Sequence, residues 1–126
     1  MSQTGINPMR LLLVDDNDEF RSLLATLLPC LFSVTIDGSL PNPREALAYL
    51  ERNDVDLVIA DLRMPGMTGI DFIKETRSLD PIPKVILATF NPSPAVEEVA
   101  FAAGAAGVLS KSEIQEELAE YLPALE

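Results

Sequence analysis

Five residues in this chain could do chemistry together: Asp15 and Asp16, Asp61, Thr89 and Lys111. Each follows a short apolar run. Leu11-Leu12-Leu13-Val14 leads into the two acids, Leu57-Val58-Ile59-Ala60 into Asp61, Val85-Ile86-Leu87-Ala88 into Thr89, and Gly107-Val108-Leu109-Ser110 into Lys111. Three carboxylates in one place repel one another and stay ionised only beside a cation. A carboxylate can also act as a nucleophile toward a phosphoryl group, with a lysine and a metal offsetting charge on the oxygens in transit and a hydroxyl donating to one of them. Singly, the same residues read as helix caps, a turn residue, a half-buried β-branched side chain and a solvated lysine. Convergence on one spot is what makes them a functional cluster.

That convergence depends on the elements between them. The apolar runs lack polar alternation, as strands covered on both faces do, and strand and helix patterns alternate five times along the chain. Phe20, Leu23, Leu24, Leu27 and Leu28 mark one face of a first helix, capped by Asp16 or Asn17 and stopped by Pro29. Phe32 to Ile36 reads as a second strand, with Asp37-Gly38-Ser39-Leu40-Pro41 as a loop. Asn42 caps a second helix with Pro43 at its first position, buried through Ala46, Leu47 and Leu50. Val55 to Ala60 forms the third strand; Met64-Pro65-Gly66 then turns the chain into a helix running to about Leu79. Ser93-Pro94 starts a helix that buries Val96, Val99, Ala100 and Ala103 and ends at Gly104. Ser112 and Gln115 read as a capping box for a last helix buried through Ile114, Leu118, Tyr121 and Leu122. The expected fold is α/β, a doubly wound, five-stranded parallel sheet in three layers, in which ligands bind beyond the carboxyl ends of the strands. All five polar residues fall there. Met1 to Pro8 reads as a disordered lead-in and residues 9–126 as one domain.

Composition narrows the chemistry. The 126 residues carry a formal charge of -11, which disfavours binding to nucleic-acid backbones. With no histidine, Ser-His-Asp and Cys-His catalysis and histidine-ligated metals are excluded, so any metal takes oxygen ligands, as Mg²⁺ does. The single cysteine, Cys30, lies in an apolar context that reads as a buried thiol and points to a reducing, cytoplasmic setting. Neither a membrane span nor a signal peptide is recognisable in the sequence.

Taken in order and spacing, Asp15-Asp16, Asp61 with Met64-Pro65-Gly66-Met67-Thr68-Gly69, Val85 to Thr89, and Lys111 resemble the receiver domain of bacterial two-component response regulators, from about Met9 to Leu122. The resemblance implies a flavodoxin-like sheet of strand order 2-1-3-4-5, with Asp61 as phosphoacceptor. It implies Mg²⁺ held by Asp16, Asp61 and the backbone carbonyl of Arg63, with Asp15 a direct or water-mediated ligand. Thr89 is then the switch hydroxyl and Lys111 the phosphate-binding cation. A sensor histidine kinase or phosphotransfer protein is the implied donor, and the last helices the implied surface for a homodimer or output partner, where Phe101 lies off the apolar face of its helix. Such a domain acts as a switch rather than an enzyme, promoting only its own phosphoryl transfer and autodephosphorylation.

Three residues depart from the family pattern: Ser112 replaces proline after the lysine, Val108 an aromatic switch residue, and Phe90 a small residue after Thr89. The first resembles the NarL/LuxR-type branch, and the chain fits either a stand-alone receiver or the N-terminal receiver of a LuxR-type regulator. Leu125-Glu126 resembles a residue pair left by cloning. The other two favour an alternative, a pseudo-receiver that interacts without phosphate. A phosphatase of the haloacid dehalogenase type, which needs a second acid two residues after the nucleophile, is disfavoured because Arg63 stands there.

Overall fold

The computed structural model describes residues 7–125; most of the expected lead-in therefore lies outside the described residues. Five strands, β1 (Met9–Val14), β2 (Val34–Leu40), β3 (Leu57–Asp61), β4 (Lys84–Thr89) and β5 (Gly107–Ser110), form one parallel sheet of order β2-β1-β3-β4-β5. Helices α1 (Asp18–Leu31) and α5 (Ile114–Leu118) cover one face; α2 (Pro43–Arg52), α3 (Gly69–Thr76) and α4 (Pro94–Ala103) cover the other. Alternate strand residues supply the two cores. Leu11, Leu13, Ile59 and Ile86 pack with Leu24, Leu28 and Leu118, while Leu12, Val14, Val58 and Leu87 pack with Ala46, Phe72 and Ala100. Burial on both sides explains why the strands are continuous apolar runs. The expected fold class and strand order are those observed.

Local details differ where tertiary contacts outweigh local signals. Proline 29 does not stop α1, which continues to Leu31. The lost backbone donor is offset by the anchors on either side, Leu28 and Phe32, both buried, with the Phe32 N–H donating to the Leu28 carbonyl at 2.9 Å. Leu23, read as core, is exposed; so is Cys30, whose thiol points outward near the Thr26 carbonyl instead of inward as its apolar neighbours suggested. Strand β2 runs through the expected loop to Leu40. A bulge there sets Leu11 opposite Ile36 and Leu12 opposite Gly38, which leaves Asp37 as the extra residue. Arg10 pairs with Asp37, Arg21 donates to the Ser39 hydroxyl at 3.0 Å, and Gly38 lies flat against Leu12 and Tyr49. Those contacts turn apparent turn residues into strand.

Two helix caps are as read: Asn42 Oδ1 accepts from Glu45 N–H at 2.9 Å, and Ser93 Oγ from Val96 N–H at 3.2 Å. Asn17, rather than Asp16, caps α1, accepting from Phe20 N–H at 3.0 Å. α3 ends at Thr76, followed by tighter turns whose N–H groups reach back three residues as far as Leu79. In α4 only Ala100 is fully buried, and Val99 faces outward. The capping box at Ser112 and Gln115 does not form. Lys111 is held inside the site, so Ser110 instead caps a 3₁₀ turn, Lys111–Glu113, and α5 starts at Ile114.

One glycine fixes the approach of α3 to the strand that carries Asp61. A Cβ at Gly69 would collide with the Asp61 carbonyl oxygen and meet Leu87 Cδ2 at 2.7 Å. Gly69→Ala is therefore expected to lower stability by about 1–3 kcal/mol, the usual cost of overpacking, read as a lower thermal midpoint. An unchanged midpoint would show that α3 can move aside freely.

Candidate functional site

The parallel register brings the carboxyl ends of β1, β3, β4 and β5 to one edge. Val14 lies opposite Ala60, Asp61 opposite Ala88, and Thr89 opposite Ser110, so the residues that follow each strand rise to similar height. Carboxylate oxygens of Asp15, Asp16 and Asp61 lie within 4.8 Å of one another. Lys111 Nζ donates to Asp15 Oδ2 at 2.7 Å and stands 3.3 Å from Asp61 Oδ1. Thus four of the five residues singled out in the sequence meet directly. Thr89 is buried at the neighbouring strand end, where its Oγ1 accepts from Asn91 N–H at 3.2 Å. Arg63 is exposed, two residues beyond Asp61.

Burial differs sharply among the acids. Asp15 is buried with every carboxylate oxygen engaged, Oδ1 accepting from Asn17 N–H at 2.9 Å and Oδ2 from Lys111. Asp16 is exposed, and Asp61 lies between the two extremes. Burial first, and then the charge of Asp15, push the Asp61 carboxyl above its ordinary value of 3.8, while Lys111 and the Arg63 N–H pull it back. One lysine does not balance three carboxylates. The oxygen-only donor set, its small spread and this unbalanced charge suit a hard divalent cation.

Four residues outside the initial set also shape the site. Phe20 places its ring 4.6 Å from Lys111 Nζ, and Phe90 brings a second ring to 5.4 Å while staying 59% exposed. Arg21 donates to the Asp15 backbone carbonyl, and Asn17 holds the Asp15 carboxylate. Phe20 had been visible only as the start of an apolar helix face; its position one turn after Asp15-Asp16 was the available signal. A concavity of about 920 Å³ lies elsewhere, beneath the amino ends of the strands beside Arg10, Asp56 and Lys84.

The family model of the response regulator receiver domain matches residues 11–123. The chain belongs to this family. Similar solved structures include the DNA-binding response regulator of the LuxR family from Staphylococcus aureus, with 28% identity, a TM-score of 0.80, and coverage of 89% of this chain and 93% of that one. The signal receiver domain of the response regulator NarL from Mycobacterium tuberculosis is 27% identical, with a TM-score of 0.77 over 92% of this chain and 97% of that one. Among curated proteins, the protein-glutamate methylesterase/protein-glutamine glutaminase 5 of Anaeromyxobacter dehalogenans is 33% identical over 111 residues, which is 86% of this chain but 30% of that protein. The chain thus spans less than a third of the length of that relative. It is a receiver domain of two-component signalling, and no helix among its described residues is long and apolar enough to cross a membrane.

The raised Asp61 value has a consequence for stability. Ionising Asp61 is harder in the fold than in the unfolded chain, so its charge destabilises the metal-free protein once pH exceeds the folded value, and not below 3.8, where both forms are protonated. Asp61→Asn should therefore raise the thermal midpoint at pH 7 in chelator, with the gain shrinking as pH falls toward 3.8. Scanning calorimetry of both proteins across pH checks this, and a less stable variant at pH 7 would contradict it.

Proposed function

We propose that this receiver domain takes a phosphoryl group onto Asp61 from a histidine kinase or phosphotransfer protein and alters its surface in response. The observation that carries the reading is the placement of Asp61, its side chain 13% exposed at a strand end, 3.3 Å from the buried Lys111 ammonium. An Asp61 carboxylate oxygen attacks the donor phosphorus; the new P–O bond forms as the donor P–N bond breaks, and its electron pair leaves with the donor imidazole. The product is an acyl phosphate. Water later attacks the same phosphorus, the bond to Asp61 breaks, and inorganic phosphate departs with the carboxylate restored. Lys111 is positioned to offset charge on the phosphoryl oxygens, and the Thr89 hydroxyl to donate to one of them. Asp15, Asp16, Asp61 and the Arg63 carbonyl would hold Mg²⁺, which when bound supplies positive charge to those oxygens.

The domain promotes only these two transfers on itself. It works in the cytoplasm, alone or as the N-terminal receiver of a LuxR-type regulator, a context supported by the likeness to LuxR-family structures. A phosphate-independent pseudo-receiver is the second reading, favoured by Val108, which is aliphatic and half-buried, and by the Phe90 ring beside Lys111.

Incubation with acetyl phosphate and Mg²⁺, followed by intact mass, separates the two. Wild type is expected to gain one phosphoryl group, with no gain in Asp61→Asn or in chelator. An unlabelled wild type, or equal labelling of the variant, would overturn the proposal. Phe90→Ala should also speed both the gain and the loss of phosphate several-fold by opening the approach to Asp61; unchanged rates would show that the ring does not restrict access.

A further inference from the structure

The end of the sheet opposite the acidic edge is also concave. There the cavity of about 920 Å³ opens beneath the amino ends of β1, β3 and β4. Small-molecule sites occupy about 300–1,000 Å³. The walls are apolar, with Met9 and Leu57 at the strand starts and Tyr121 and Pro123 from the segment after α5. Tyr121 packs its ring over Gly107 and against the core beneath α1 and α5, so this wall is fixed by the fold.

Two opposite charges line this cavity without meeting. Asp56 directly precedes β3 and Lys84 opens β4, and the register sets Leu57 opposite Lys84, so the two are neighbours on adjoining strands. Both are exposed. The ion pairs among the described residues are made by Arg10, Arg21 and Lys111, and none by Lys84. Asp56 is held in place, because its Oδ2 accepts from the Arg10 N–H at 2.7 Å and its own N–H donates to the Arg10 carbonyl at 2.9 Å. The Arg10 guanidinium is spent on Asp37, to which its Nε donates at 2.9 Å. Lys84 is therefore the cation this cavity offers, and Asp56 Oδ1 the acceptor, among the described residues.

We infer that this cavity binds a small zwitterion with an apolar body, an apolar α-amino acid. Its carboxylate meets Lys84, its ammonium meets Asp56 Oδ1, and its side chain lies against Met9, Leu57 and Tyr121. Adjacent unlike charges on the ligand answer adjacent unlike charges on the protein. A plain organic anion would find one cation here, but also Asp56 and the repulsion of a chain whose formal charge is -11. A plain organic cation would set its charge beside the Lys84 ammonium. A zwitterion has no net charge for the long-range field to act on. The paired charges fix its orientation, and burial of its side chain on the apolar walls supplies affinity. The cavity lies at the far end of β3 from Asp61, and the inference does not depend on phosphoryl transfer there.

Titration of the isotope-labelled full chain with L-phenylalanine, followed through backbone amide shifts in NMR spectra, tests it. Saturable shifts centred on Leu57, Lys84 and Ala106 are expected. Phenylpropionate lacks the ammonium and phenethylamine the carboxylate, and each should bind about tenfold more weakly, as loss of one charged hydrogen bond predicts. Lys84→Met and Asp56→Asn should each weaken L-phenylalanine by a similar factor, while Lys74→Met, on α3, should bind as wild type. Absence of saturable shifts in wild type would overturn the inference. So would shifts centred on Asp15 and Asp61, full affinity in Lys84→Met or Asp56→Asn, or either single-charge analogue binding as well as L-phenylalanine. Asp56→Asn keeps an oxygen for the Arg10 N–H, and thermal midpoints of the variants near wild type keep a folding defect from imitating a lost contact.

Discussion

Lys111 enters the interior at the end of β5 and meets two carboxylates there, Asp15 at 2.7 Å and Asp61 at 3.3 Å. Taking an ammonium out of water costs several kcal/mol unless partners and geometry compensate. Asp15 does most of that, because it is equally buried and its other oxygen is held by the Asn17 N–H. Phe20 and Phe90 add ring faces on further sides of the ammonium. The lysine is thereby fixed, and its fixed position determines what the remaining acids can do. Asp61 shares the cation at longer range, while Asp16 lies in solvent with its carboxylate beside the other two. The outcome is a site with a preformed positive anchor and a net negative charge.

The sheet is the means by which residues up to 96 positions apart reach this geometry. Parallel pairing sets each strand end against the next, and burial on both faces prevents a register slip, since a one-residue shift would turn apolar side chains out of one core and into the other. Gly69 allows the start of α3 to approach the Asp61 carbonyl. The same bond between Lys111 and Asp15 reaches beyond the site. It starts the 3₁₀ turn at Lys111 and so shifts the beginning of α5 past the local capping signal at Ser112 and Gln115.

Much of this was legible in the sequence because strands covered on both faces leave an unambiguous apolar run, and because a parallel sheet places every strand end on one edge. Asp15, Asp16, Asp61 and Lys111 followed from those two facts. What was not legible depends on contacts between distant segments. The Asp37-Gly38-Ser39 stretch has turn chemistry, yet pairing with β1 and the Arg10 ion pair keep it in a bulged strand. Pro29 is a helix breaker held in a helix by Leu28 and Phe32. Cys30 takes its exposure from its angle on α1 rather than from its neighbours in sequence. The role of Phe20 beside Lys111 likewise exists only once β5 and α1 are adjacent.

The claim that the lysine-anchored acidic edge makes Asp61 the acceptor is tested most directly by finding the modified atom. The chain is treated with acetyl phosphate and Mg²⁺, reduced with borohydride so that an acyl phosphate becomes an alcohol, digested and sequenced by mass spectrometry. Conversion confined to residue 61 is the expected result. Conversion at Asp15 or Asp16, or at a residue away from this edge, would contradict it.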